Sequence, residues 1–365
     1  ETELRHHMAL EVWGLSKMAA FNRQFPDLKE LTCEDLGSLG YSGVEGLYVK
    51  DSLVQAAYGT DGTALEYYRS YDATWNTAQQ HFNFTWDQFD AADMLPCDQT
   101  LFANMNDIQT YYQISGDDAG VVKDSAGNVV SAKCWHNSWW FSPSCRADPS
   151  KCIPSVTANS WGFPARMQQA AMLNMPLAIA TSSNAGWERI GRLDTTTYWW
   201  TPDATFIDLS PHFIVFPPYK ATEHSAGNLI SSGDETYLWK CAAKTLNLKA
   251  PRVHAFLARM SLSIEDVEVM IRDKKAKKLV DNTITDYDIS CDWLKNNKPI
   301  WKPWVPSKTT CFPGAGLVDG LGKFQESRAA ATGCEWCAQG WKAQDYLDAE
   351  GASFICTQCA PGRAQ

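Results

Sequence analysis

The chain has 365 residues, of which 45% are hydrophobic and 20% charged. That is enough apolar material to bury a core over about two ordinary domains, and it excludes a disordered or fibrous chain. The formal charge of -10 excludes a nucleic-acid partner, because such binding needs a basic face that displaces counterions from phosphates. No run of about 18 consecutive apolar residues occurs, so nothing reads as a bilayer-spanning helix.

In chain order, the opening ETELRHHMAL lacks the basic and apolar regions of a signal peptide, so a secreted protein would be a mature or trimmed form. MALEVWG at 8–14 predicts a strand, ARMQQAAMLN at 165–174 a helix, LAIATS at 177–182 a strand and HFIVFPP at 212–218 a strand. DETYLWKCAAKTLN at 234–247 and SIEDVEVMIRDKKAKKLV at 263–280 predict helices. The second opens with Ser263 and Asp266 in capping-box spacing, and its Val267, Met270 and Ile271 stripe is expected to face the core. Compact apolar strands alternating with amphipathic helices mean an α/β protein with a parallel sheet covered on both faces. After Trp304, VPSKTTCFPGAGLVDGLGKF is rich in Gly, Pro and Thr, which marks a boundary near 306 followed by a small module.

The twelve cysteines are Cys33, Cys97, Cys134, Cys145, Cys152, Cys241, Cys291, Cys311, Cys334, Cys337, Cys356 and Cys359. An even set scattered through loop-like sequence reads as a disulfide framework in an oxidising, extracytoplasmic compartment. The sequon Asn83-Phe84-Thr85 agrees with passage through a secretory pathway and makes Asn83 a glycosylation candidate. In the tail, Cys334-x-x-Cys337-x-x-Gly340 recurs as Cys356-x-x-Cys359-x-x-Gly362. Its spacing also fits a four-cysteine zinc ribbon, but the other cysteines already require oxidation, which favours disulfides and no metal. Residues 311–365 resemble the cysteine-rich repeats of ephrin-receptor-like cell-surface receptors. The resemblance implies a spacer that leads to a membrane anchor or further repeats beyond Gln365.

Sixteen tryptophans, many in loop sequence, point to a ligand. Several aromatic faces around one point form a cage for a cation that cannot donate hydrogen bonds. HHMALEVWG, YWWTPDATFIDLS, and APRVHAFLARMSLSIEDVEVMI followed by CDWLKNNKPIWKPWV resemble, in this order, segments of the substrate-binding proteins of glycine betaine, choline and proline betaine transporters. The resemblance covers about residues 5–305 and implies a two-lobed, type II periplasmic-binding-protein-like domain. It implies lobe 1 at about 1–105 and 215–305 and lobe 2 at about 106–214, because the chain crosses between lobes twice. It also implies a small amine or betaine ligand held in a box of aromatic rings, with no cofactor.

On that resemblance Trp13 matches the tryptophan of the first-lobe pattern and Trp200 the one that opens the W-T-P-H segment, so both are cage candidates. Glu11 takes an acidic position that orders the lobe. Trp135, Trp139, Trp140, Trp161 and Trp187 are further candidates without a motif match, of which one or two are expected in the pocket. Where the family has histidine after W-T-P, this chain has Asp203, which would repel a ligand carboxylate and attract a cation. The chain also lacks the strand, helix and strand that normally precede the first tryptophan.

Enzyme motifs are absent: there is no G-x-S-x-G, H-E-x-x-H, Walker or dinucleotide fingerprint, and beyond His6-His7 the histidines show no ligand spacing. The reading is therefore a binding protein and not an enzyme. Two alternatives stand beside it. One is a structural subunit of an extracellular assembly with a decayed pocket, and the other a carbohydrate-binding or carbohydrate-active protein using Asp288 and Asp292 beside Trp293.

Overall fold

The computed structural model describes residues 8–13, 23, 33–75, 78–96, 105–158, 163–183, 186–204, 206–232, 236–243, 246, 250–349 and 351–359. Its strands begin with β1 (Met8–Trp13), β2 (Cys33–Val49), β3 (Met94–Leu95), β4 (Val121–Lys123), β5 (Val129–Ala132) and β6 (Trp139–Phe141). They continue with β7 (Ile153–Ala158), β8 (Leu177–Ser182), β9 (Thr196–Thr201), β10 (His212–Phe213) and β11 (Thr236–Ala243). The helices that matter below are α1 (Asp51–Asp61), α2 (Phe163–Met172), α3 (Trp187–Gly191), α4 (Pro251–Arg259), α5 (Ile264–Lys278) and α6 (Asp286–Asn296). The chain is mixed α/β and divides into two compact units. A central unit takes Ser42–Thr236 and Ile264–Asp286, and a terminal unit takes Glu1–Tyr41, Tyr237–Ser263 and Tyr287–Gln365. These divisions fall elsewhere than the lobe crossings placed near 105 and 215, and the tail after 306 groups with the terminal unit.

In the central unit the strands run in the order β2-β9-β7-β8-β3, with β10 added to β2 and β6 to β8. β7 is parallel to both β8 and β9. Every residue of β8 is buried, as expected for a LAIATS run with helices or loops over both faces. The chain passes from β7 through α2 to β8, then through α3 to β9 on the other side of β7. In open α/β sheets such a reversal is a place where ligands are accepted.

Two apolar layers flank this sheet. On the α2 side Trp140, Phe163, Met167, Ile153 and Leu47 pack together. The Trp140 indole N–H donates to the Gly120 carbonyl (2.9 Å), and its ring meets Tyr111 edge-on at 5.6 Å. On the α3 side Trp139, Phe141, Val156, Trp187 and Phe206 form the second layer, with the Cys145–Cys152 disulfide inside it.

In the terminal unit β1 pairs antiparallel with β11, and the Cys33–Cys241 disulfide joins the start of β2 to β11. Lys240 is buried, its ammonium donating to the carbonyls of Ala258 (3.1 Å) and Met260. The tail holds two hairpins, β12 (Ala315–Val318) with β13 (Gly333–Trp336), and β14 (Trp341–Asp348) with β15 (Gly351–Gln358). Cys311–Cys334 and Cys337–Cys356 staple them. The Ser353 hydroxyl accepts from the Cys311 N–H (2.9 Å) and donates to the Thr309 carbonyl (2.9 Å).

Several expectations are corrected. Of the segment expected as a helix at 234–247, Thr236–Ala243 is strand β11, with Leu238, Lys240 and Ala242 buried on alternate positions. HFIVFPP is a strand only over His212–Phe213. The Val267, Met270 and Ile271 stripe is only half-buried, and α5 has no buried residue. The disulfide framework is incomplete, for Cys291 and Cys359 keep free thiols. Cys134 is disulfide-bonded, and Cys97 lies outside the described residues. Oxidation of Cys334, Cys337 and Cys356 removes the thiolates a zinc ribbon would need. Trp293 is buried and stacked with Trp304 at 6.1 Å, so it offers no platform to a sugar. Among the described residues no helix is long and apolar enough to cross a membrane.

Candidate functional site

Antiparallel pairing of β2 with β9 sets Tyr48 opposite Thr197, Gly46 opposite Trp199 and Val44 opposite Thr201. Residues opposite one another share a sheet face. Tyr48, Thr197, Trp199 and Thr201 therefore turn to one side, where they line a cavity of about 320 Å³. Trp200 closes it from the end of β9, Asp203 and Phe206 from the chain after β9, His212 from β10, and Glu268 and Arg272 from α5. All of these belong to the central unit. Two glycines permit the wall. A Cβ on Gly46 would lie 2.3 Å from the Phe213 ring, and one on Gly191 would lie 2.2 Å from the Phe206 ring.

The wall is aromatic and layered. Trp199 and Trp200 stack with centroids 3.9 Å apart and planes 19° from parallel. Trp187 sits behind them, 4.7 Å from Trp199 and edge-on to Phe206 at 5.2 Å. Tyr48 is buried, which pushes its hydroxyl up to about 12, so it stays protonated. Its single proton goes to the Val44 carbonyl (2.7 Å), and the Thr201 hydroxyl at 3.1 Å must then be donor to the Tyr48 oxygen.

Charges ring the cavity in pairs. Lys50 meets Asp194 at 2.7 Å and donates to the Arg192 carbonyl at 3.0 Å. Arg272 meets Glu268 at 3.3 Å, and His212 meets Asp51 at 2.7 Å. Hydrogen bonds from His212 and Gln55 hold the Asp51 carboxyl below its usual range. Asp203 adds a carboxylate to the lining.

A charge network ties α5, which has no buried anchor, to the loop that closes the cavity. Asp208 accepts from Arg192 at 3.0 Å and from Lys275 at 2.8 Å, while Lys275 also donates to the Ala204 carbonyl at 3.3 Å. Arg192 reaches Glu188 at 2.9 Å. Partial burial raises the Asp208 carboxyl, but the hydrogen bonds from Lys275 and Arg192 outweigh it and hold it below the ordinary carboxylate range. The tie is therefore fully present above about pH 4, the unfolded value, and is lost as pH falls through the lower folded value. With the Asp208 side chain 38% exposed, salt screens the tie as well. Amide exchange across residues 264–278 is expected to quicken a few-fold in Asp208→Asn or in about 1 M salt, where the Debye length is about 3 Å. Equal exchange in both proteins and at both salt levels would remove the network from this role.

Of the residues singled out in the sequence, Trp200 and Asp203 meet at the cavity. Trp13 lies on β1 opposite Leu238 in the terminal unit, and its side chain, like that of Glu11, is outside the described residues, as is Trp161. Trp135 is not at the cavity: it stacks on Phe141 at 5.4 Å with the Arg146 guanidinium 5.4 Å from its ring centroid. Trp187 supports the wall without lining it, and Trp139 and Trp140 are core. Asn83 is exposed. Tyr48, Trp199, Phe206, Glu268 and Arg272 were not foreseen. Trp199 and Phe206 lie in the segment that holds Trp200, and Glu268 in the later helical segment, but nothing in either segment singled them out.

The chain is similar to lactococcal OpuAC in its closed-liganded conformation complexed with glycine betaine, at 10% identity over 81% of this chain and 79% of that one, with a TM-score of 0.37. It is similar to the glycine/betaine/L-proline-binding protein ProX of Borrelia burgdorferi at 12% identity over 82% and 78%, with a TM-score of 0.36. It is also similar to an ABC-transporter choline binding protein in complex with choline, at 11% identity over 81% and 73%, with a TM-score of 0.35. At these identities and scores the likenesses assign neither a ligand nor a residue role to the chain. No family model matches it, and no curated protein does.

Proposed function

We propose that the chain binds a small organic cation, of the quaternary-ammonium or amine class, in the central-unit cavity. The observation that carries this is the stacked Trp199–Trp200 wall facing a space of about 320 Å³ whose lining also holds the carboxylates of Asp203 and of Glu268, the latter paired with Arg272. Aromatic faces attract a cation through their quadrupole, and the attraction grows as water is excluded. The Asp203 carboxylate beside them favours a cation over a zwitterion, because the zwitterion's own carboxylate is repelled. The disulfides suit an oxidising compartment, and the stapled tail suits a neck that carries this binding head on a larger surface protein.

Calorimetry with choline, glycine betaine and spermidine tests the reading. Choline is expected to bind at least tenfold tighter than glycine betaine, and Asp203→Asn to narrow that gap about tenfold, the equivalent of 1.4 kcal/mol. Silence from all three ligands would favour a structural role instead. Glycine betaine binding tighter than choline would contradict the part given to Asp203.

A further inference from the structure

The opposite face of β9 carries a second, unrelated feature. Arg166, on α2, is only 3% exposed. Its guanidinium carbon lies 4.5 Å from the Tyr198 ring centroid and 5.7 Å from that of Phe216. Both rings lie against the group. Nε and Nη1 are both buried without a hydrogen-bond partner. The acid whose charge it feels, Glu45, is exposed. Burial accordingly lowers the basicity of Arg166.

Two neighbours are short of partners in the same way. Gln169 lies three residues further on the same helix face, and while its amide N–H donates to the Ser231 carbonyl at 2.9 Å, its Oε1 is buried and unpaired. The Ser155 hydroxyl on β7 is likewise buried and unpaired. Ser155 pairs with Thr196 and Thr157 with Tyr198, so Ser155 shares the sheet face on which Tyr198 meets Arg166. An enclosed water could satisfy the hydrogen bonds. It could not answer the charge, and a buried cation without an anion is strongly disfavoured. One guanidinium beside a neutral hydroxyl matches a monoanion.

We infer that Arg166 and the Ser155 hydroxyl hold a small carboxylate monoanion between α2 and the sheet, on the face opposite the cation cavity. Alternation along β9 puts Tyr198 on the other side of the strand from Thr197 and Trp199, so the two sites take separate ligands. This site stands whether or not the cation reading does.

The test compares sodium acetate with sodium chloride at equal ionic strength on the full chain, read by thermal melting. Acetate is expected to raise the wild-type midpoint saturably, by several degrees, and chloride is not. Arg166→Met keeps the apolar length of the side chain. It is expected to show no acetate effect and, relieved of an unanswered charge, to melt no lower than wild type in chloride. Should that variant fail to fold, Ser155→Ala is expected to weaken the acetate response at least threefold. Wild-type protein already loaded with its anion would instead release a stoichiometric carboxylate on denaturation, detectable by mass spectrometry, which also supports the site. A wild-type protein with neither response nor release, or an acetate response that Arg166→Met or Ser155→Ala retains in full, would overturn it. Choline titration of Arg166→Met is expected to match wild type, which separates failure here from failure of the cavity.

Discussion

Trp140→Ala is expected to destabilise the central unit by about 4 kcal/mol, within the 3–5 kcal/mol typical of truncating a fully buried aromatic residue. The side chain has no exposure, so its removal leaves a cavity that the surrounding Tyr111, Ile153 and Phe163 can fill only by moving away from packed positions. Two further losses add to the transfer cost. The edge-on contact with Tyr111 disappears, worth about 1 kcal/mol, and the Gly120 carbonyl loses one of its two donors, keeping the Lys133 N–H at 3.0 Å. Trp75→Ala is the control, because Trp75 is 72% exposed and surface changes usually fall within about 0.5 kcal/mol. Urea unfolding of the two variants gives the comparison. A Trp140→Ala midpoint near that of Trp75→Ala would show that the α2-side layer does not rest on this ring.

Trp200→Ala is expected to weaken choline binding about a hundredfold. The lost cation–π attraction accounts for up to about 2 kcal/mol in a desolvated site, and the loss of the 3.9 Å stack that steadies Trp199 adds a smaller share. At 1.4 kcal/mol per factor of ten, those terms give one to two orders of magnitude. Trp200→Phe should keep most of the affinity, since a ring face remains. Trp187→Ala should act differently. Trp187 is 5% exposed and does not line the cavity, so its truncation is expected to lower stability first and affinity only through a slackened Trp199. Calorimetry and melting on the three variants separate these outcomes. Equal choline affinity in wild type and Trp200→Ala would take the cage away.

Some of this was legible in the sequence and some could not have been. LAIATS is short, apolar and bounded by Pro176 and Ser183, so only a buried strand suits it, and β8 is that strand. TYLWKCAA is different: its residues serve a helix or a strand equally well, and the choice is made by β1 alongside it and by the Cys33 disulfide. Disulfide connectivity shows the same limit. Cys145 and Cys152 are 7 residues apart, whereas Cys33 and Cys241 are 208 apart, and only the folded chain reveals the second pairing. At the cavity, Trp200 and Asp203 are contiguous with one motif and could be read together. Tyr48 arrives through the β2–β9 register, and Glu268 and Arg272 through a helix that the chain inserts after its terminal-unit segment Tyr237–Ser263. No local pattern announces either. Loop-like tryptophans misled in the other direction, because Trp135 reads as exposed beside Asn137 and Ser138 but is drawn onto Phe141 by its pairing with Trp139.

The central claim is that ring faces in the central-unit cavity recognise positive charge on a group that donates no hydrogen bond. Tetramethylammonium presents that charge and nothing else, with no hydroxyl, carboxylate or N–H to find another partner. Titrated into the wild-type chain by calorimetry, it is expected to bind saturably at one site and to lose about a hundredfold in affinity in Trp200→Ala. Absence of saturable binding by the wild-type chain, or unchanged binding by Trp200→Ala, would contradict the assignment.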